Sequence, residues 1–247
     1  MTGGERAALA AAADVPGWLT EAQARRLWAR AAGPRPPGAV VEIGSFHGRS
    51  TIVLARAAGA VVAIDPHAGG DRGPREIAAD AARGEADRAA FEAHLRAAGV
   101  GDLVRHVRLP SAAAHGAVAG PVALLFVDGA HRLAPARADL AGWGGRVAPG
   151  GAMLVHDAFS SIGVTLALLT TCVPSRRWRY AGRTGTLAEF ERPAAPLGAG
   201  PWARDAARAV GELGFFARNL AIKGLLLAGR RRWAERLGLD PDAPWPY

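Results

Sequence analysis

At 247 residues, half of them hydrophobic, the chain is long enough for one α/β unit with appendages or at most two small domains. Its formal charge of +8 comes almost wholly from arginine, Lys223 being the only lysine, so the basicity largely restates residue usage and does not by itself call for a polyanionic partner. The single cysteine, Cys172, excludes an internal disulfide and any multi-cysteine metal site, and its setting in Leu168–Val173 reads as the end of a buried helix.

In chain order, the Ala-rich stretch Ala7–Ala13 is only weakly hydrophobic and follows Glu5-Arg6, so it reads as helix rather than signal peptide, with a cytoplasmic location as the default expectation. Thr20-Glu21-Ala22-Gln23, followed by Leu27, Trp28 and Ala31, predicts an N-capped amphipathic helix that ends at the stiff linker Gly33–Gly38. Beyond it, apolar strands are expected at 39–43, 60–64, 103–108, 122–127 and 151–155, with helices between them at 48–58, 87–98, 111–118 and 132–141. Such alternation predicts a doubly wound α/β fold, a mostly parallel sheet covered on both faces. The Gly-rich connection 66–86 is long for a βα loop and is expected to be a lid. A helix at 160–172 and a hairpin about Gly182-Arg183-Thr184-Gly185 then give the sheet an antiparallel end.

The chemistry begins at Val40–Ser50. There an apolar strand carries Glu42, turns at Gly44-Ser45, and opens a helix with Gly48 and Ser50, which presents backbone N–H groups at the carboxyl end of a buried strand. The spacing is neither the G-x-G-x-x-G of a dinucleotide loop nor the lysine-bearing P-loop, and a carboxylate at 42 would repel a pyrophosphate. Four more strand ends carry polar groups: Asp65-Pro66-His67 after strand two, Pro110-Ser111 after strand three, Asp128-Gly129-Ala130-His131 after strand four, and His156-Asp157 after strand five.

In its E-x-G-x-x-x-G-x-S loop, its acidic second strand end and its D-G-x-H motif, the stretch 39–191 resembles class I S-adenosylmethionine-dependent methyltransferases. The branch it resembles includes sugar and macrolide O-methyltransferases and cephalosporin-hydroxylase-like proteins. The resemblance implies a Rossmann-like fold over 39–191 and does not cover the N-terminal helical segment 1–38 or the C-terminal extension 192–247. It also implies that Glu42, Gly44, Ser45, Gly48 and Ser50 surround the amino-acid part of S-adenosylmethionine, Glu42 receiving its ammonium directly or through water, and that Asp128 is a further cofactor-binding residue. Asp65 would take the ribose hydroxyls, and Pro66, His67 and Ser111 would lie beside the adenosine. At Ser111 the chain departs from the family, which often has an acidic residue next to this position where this chain has Pro110. For the chemistry, two readings stay open. In one, Asp128, His156 and Asp157 hold a divalent cation such as Mg²⁺ that acidifies the acceptor hydroxyl. In the other, His131 or His156 is a general base without metal.

The segment 203–236 predicts one long basic amphipathic helix, interrupted in pattern by Gly211, Gly214 and Gly224. Its charges exclude a membrane span, leaving packing on the domain or on a second copy, a peripheral membrane contact, and, last, nucleic acid. Two functions follow as expectations: O-methylation of a small hydroxylated acceptor, or a non-catalytic accessory protein that docks to a membrane or partner through this helix.

Overall fold

The computed structural model of the protein describes residues 2–70 and 78–239. Seven strands form one sheet: β1 Ala39–Ile43, β2 Val61–Ile64, β3 Val104–Val107, β4 Val122–Val127, β5 Val147–Val155, β6 Arg179–Thr184 and β7 Leu187–Glu191. Their spatial order is β3-β2-β1-β4-β5-β7-β6, with β1 to β5 parallel and β7 antiparallel to both β5 and β6. The chain thus winds outward from β1 in one direction and from β4 in the other. The crevice between those two strand ends is where open α/β sheets bind ligands.

The sheet is buried on both faces because its strands carry apolar residues at successive positions. Alternation divides these residues into two cores. Val41, Ile43, Leu125, Val127, Met153 and Val155 face α5 (Leu133–Gly142) and α6 (Ile162–Thr171). Val40, Leu124, Phe126 and Leu154 face α2 (Glu21–Ala32), α3 (Arg49–Ala58) and α4 (Ala81–Ala97). Burying each of the large side chains here, such as Phe91, Phe126 or Trp143, is worth about 1.5–3 kcal/mol or somewhat more. α1 (Gly3–Ala13) packs over α2 and α3. Thr20 caps α2 as its sequence predicts, in a full capping box with Gln23.

Several expected elements shift. No α-helix forms over 111–118; two single 3₁₀ turns, Ser111–Ala113 and His115–Ala117, take its place. The helix expected at 87–98 begins earlier, after Asp80, whose side chain accepts from the Arg83 amide. Helix therefore already occupies 81–86 of the expected lid, and 71–77 lie outside the described residues. Over its described residues the C-terminal extension is three helices rather than one: α7 Ala199–Gly211, α8 Leu213–Leu227 and α9 Arg231–Arg236. The breaks fall at Gly211-Glu212 and at Gly229, whose φ of +71° a helix cannot continue through. Phe215 and Phe216 of α8 pack on the α5/α6 side of the sheet, so the extension rests on its own domain. Among the described residues no helix is long and apolar enough to cross a membrane.

Candidate functional site

A cavity of about 1070 Å³ opens at the carboxyl ends of β1, β2 and β4. All the site residues expected from sequence line it, except Glu42 and Gly48. Its floor is the Gly44-Ser45-Phe46 turn. Gly44 has a φ of +82°, and a Cβ there would sit 2.1 Å from the Asp128 carbonyl oxygen, so only glycine lets the β1 and β4 ends approach this closely. Asp65 fixes the turn: its Oδ2 accepts from the amides of Ser45 and Phe46, both at 2.9 Å, and its Oδ1 accepts from the His67 amide at 2.8 Å.

Glu42 points elsewhere. Alternation along β1 puts it on the Val40 face, beneath α3, with no exposed surface. Its two carboxylate oxygens accept from Ser50 Oγ and Thr51 Oγ1, each at 2.5 Å. Burial pushes its pKa up to about 7 against the lowering effect of those hydroxyls. Glu42 therefore orients the helix that bears Ser50 and does not reach the cavity itself. Gly48 caps that helix in a left-handed conformation, with Phe91 behind it.

The polar cluster forms where β4 and β5 end side by side. His131 Nε2 lies 3.0 Å from Asp157 Oδ2. His156 Nδ1 lies 3.1 Å from Asp128 Oδ1 and 3.4 Å from Asp157 Oδ2, while its Nε2 donates to Gln23 Oε1 at 3.4 Å. Burial alone would push His156 down, but the carboxylates of Asp128 and Asp157 outweigh it and hold the imidazole well above its usual range. His131 is raised in the same way, burial being overcome chiefly by Asp157. Asp157, whose burial would raise it, is held well below the usual carboxylate range by His156 and His131. The result is a compensated charge cluster, with an imidazolium between two carboxylates.

One atom each from Asp128, His131 and Asp157 lies within 4.8 Å of the others, a spacing that a small divalent ion could close by modest contraction. His156 stands behind the carboxylates as their counter-cation. The structure thus brings His131, rather than His156, to the place of the third donor.

At the β2 side of the cavity, His67 is buried, with its Nε2 donating to the Phe46 carbonyl at 2.9 Å and its Nδ1 3.1 Å from His106 Nε2. His106, to which sequence assigned no role, thereby braces the same loop, and burial followed by the neighbouring His67 pushes its pKa down. Ser111 Oγ donates to Asp139 Oδ1 at 2.5 Å. Burial raises Asp139 to about 6, and it too lines the cavity. Asp139 was missed in the sequence; its signal was an acid on the buried face of α5, between Ala136 and Leu140. Gln23 was missed as well, because its link to His156 spans 133 residues of chain. At the cavity mouth Trp18 stacks on Phe46 at 5.3 Å, and Phe46 on His47 at 3.8 Å.

The sheet order and the cavity at its switch point define a class I, Rossmann-like methyltransferase architecture. Residues 41–158 match the family model described as a methyltransferase domain, which supports reading this segment as a class I S-adenosylmethionine-dependent methyltransferase domain. Among solved structures, the O-methyltransferase from Bacillus cereus in complex with SAH is 18% identical, with 77% of this chain and 89% of that chain covered at a TM-score of 0.50. The SAH-bound methyltransferase PaMTH1 of Podospora anserina is 15% identical over 78% of this chain and 88% of that one, at 0.52. The cofactor-bound protein Rv0187 from MTB is 26% identical over 69% and 76%, at 0.47. The first two share the fold.

Proposed function

We propose that the protein is an S-adenosylmethionine-dependent O-methyltransferase acting on a small, uncharged, hydroxylated acceptor such as a sugar, glycoside or secondary metabolite. The observation that carries this reading is the convergence of Asp128, His131, His156 and Asp157 on the cavity that the Gly44–Phe46 turn and Asp65 also line. Residues 39–191 would form the catalytic domain, with 1–38 and 192–247 appended to it.

The residues fit the cofactor. The turn exposes backbone at Gly44 where a side chain would collide, and the strand-end acid Asp65, after accepting three amides, keeps about one lone-pair site, on Oδ1, for a ribose hydroxyl. Gly44, Ser45, Ser50 and Asp128 would surround the amino-acid part; Pro66, His67 and Ser111 would flank the adenosine. Glu42 and Gly48 serve by fixing Ser50 and the start of α3. When bound, S-adenosylmethionine supplies a methyl group already activated on a sulfonium. The protein's work is then to align the acceptor oxygen and exclude water, an effect worth on the order of 7–11 kcal/mol where alignment is good.

For the acceptor proton, two arrangements are supported. His131, oriented by Asp157, can take the proton when its ring is neutral. A divalent cation held by Asp128, His131 and Asp157 would act as a Lewis acid and lower the hydroxyl pKa; this mixed carboxylate and imidazole set suits Mn²⁺ or Zn²⁺ at least as well as Mg²⁺. Asp65, Asp128, Asp139 and Asp157 all line the cavity, while Arg49 spends its guanidinium on the Val15 and Gly17 carbonyls. That balance disfavours a phosphorylated acceptor.

The test is methyl transfer from labelled S-adenosylmethionine to a panel of glycosides and phenols, run with and without EDTA. Transfer that Asp157→Asn abolishes supports the reading. A panel that includes every hydroxyl class and yields no methylated product overturns it.

A further inference from the structure

From sequence, the C-terminal segment is expected to pack on the domain or on a second copy, or to make a peripheral membrane contact. The contacts of α8 place it against the loop that carries Asp157. After β5 ends at Val155, the chain turns through His156–Ser161 before α6 begins, and this short loop carries Asp157. Two of its residues, Asp157 (φ +54°) and Phe159 (φ +57°), hold left-handed backbone without being glycine, a conformation that persists only where surrounding structure imposes it.

Part of the restraint is local. The amides of Ser160 and Ser161 donate to the Asp157 carbonyl at 3.3 and 3.0 Å, and the Ala158 amide donates to Thr186 at 2.9 Å. The carbonyls of Phe159 and Ser160 receive their bonds from the extension. Asn219 Nδ2 donates to the Phe159 carbonyl at 2.9 Å, and Lys223 Nζ donates to the Ser160 carbonyl at 3.0 Å. The two donors are four residues apart and so share one face of α8. Asn219 is 3% exposed. Lys223 is the only lysine in a chain whose other long cationic side chains are all arginine. Its ammonium reaches the Ser160 carbonyl in a half-buried slot. At its start α8 is pinned to the sheet edge: Glu212 accepts from Arg183 Nε at 2.7 Å and from the Tyr180 hydroxyl at 3.0 Å, both residues belonging to β6.

We propose that the C-terminal extension completes the active site, with Asn219 and Lys223 as positioning residues that clamp the 157–160 loop and so hold Asp157 against His131. The proposal rests on the role given above to Asp157, but the clamp itself can be read without any turnover. The extension is then an integral strut of the catalytic centre.

Hydrogen exchange on the full-length resting protein tests it, in wild type, Asn219→Ala, Lys223→Met and Lys223→Arg, alongside thermal melting, S-adenosylhomocysteine titration and steady-state kinetics. Expected are amide exchange at 157–161 at least tenfold faster in Asn219→Ala and Lys223→Met, with exchange in β1 and β4 unchanged. The dissociation constant for S-adenosylhomocysteine should stay within about twofold, while kcat falls at least tenfold and KM shifts less. Lys223→Arg should recover most of that loss, since it restores a donor. Loop exchange equal to wild type in both variants overturns the clamp, as does a uniform rise over the whole fold or a loss carried by cofactor affinity. Should Asn219→Ala not fold, Lys223→Met and Lys223→Arg decide the matter alone. Faster loop exchange in a protein whose wild type methylates nothing would leave the clamp standing and remove the methyltransferase reading instead.

Discussion

Replacing Glu42 by glutamine separates two accounts of the opening motif. In the structure Glu42 is wholly buried under α3, and its carboxylate accepts from the hydroxyls of Ser50 and Thr51. Burial raises its pKa from 4.5 to about 7 in the folded protein. Between those values the folded chain keeps a proton that the unfolded chain has released. Stability therefore falls as pH rises through this window; the contribution is fully present below 4.5 and gone above about 7. A tenfold change in proton affinity is worth about 1.4 kcal/mol, so the span corresponds to about 3 kcal/mol at most. Glutamine is nearly isosteric, and one of the two hydroxyls can turn to accept from its amide. Glu42→Gln should then match wild type near pH 4.5 and exceed it by up to about 3 kcal/mol at pH 8. Urea unfolding at both pH values measures this directly, with unchanged m-values expected. Because Glu42 does not line the cavity, S-adenosylhomocysteine affinity should change by no more than about threefold, under 1 kcal/mol. A pH slope that survives in the variant, or a loss of affinity of a hundredfold, refutes the reasoning and puts Glu42 on the ligand.

Gly44→Ala should destabilise the fold by about 3 kcal/mol or more, adding left-handed strain to a Cβ placed 2.1 Å from the Asp128 carbonyl oxygen; chemical denaturation reads it. Asp65→Asn presents an amide to backbone donors at Ser45, Phe46 or His67 and should weaken S-adenosylhomocysteine binding at least tenfold by calorimetry. Asp157 contributes stability that is present above pH 3.8, its unfolded value, and lost as pH falls through its lower folded value. The stability deficit of Asp157→Asn should therefore be largest at neutral pH and shrink in strong acid, as unfolding curves from pH 2 to 7 would show. Titration with Mn²⁺, followed by electron paramagnetic resonance, should show one bound ion that both Asp128→Asn and His131→Ala remove, while Cys172→Ser leaves binding unchanged.

The centre of this molecule was legible because local chemistry decides it. Val122–Val127 is apolar at every position, as a strand covered on both faces must be, and each strand-end acid or imidazole falls where the next loop begins. Glu42 was misplaced although its signal was available: two-residue alternation sets it with Val40, on the helix-covered face. The stretch 111–118 looked helical by composition, but Gly116 and the demand of Trp143 Nε1 for the Ser111 carbonyl favour two short turns. Tertiary pairings were out of reach of local pattern. Gln23 looks like an ordinary capping-box residue until its amide is seen between His156 and Thr186. Asn219 and Lys223 look like the polar face of a surface helix, and only the packing of α8 shows which carbonyls they serve.

The central claim is that the crevice between the ends of β1 and β4 binds S-adenosylmethionine. Calorimetric titration of the purified protein with S-adenosylhomocysteine tests it most directly. The account predicts one site per chain with micromolar affinity, weakened at least tenfold by Asp65→Asn. No binding at millimolar ligand, or binding that Asp65→Asn leaves intact, would contradict it.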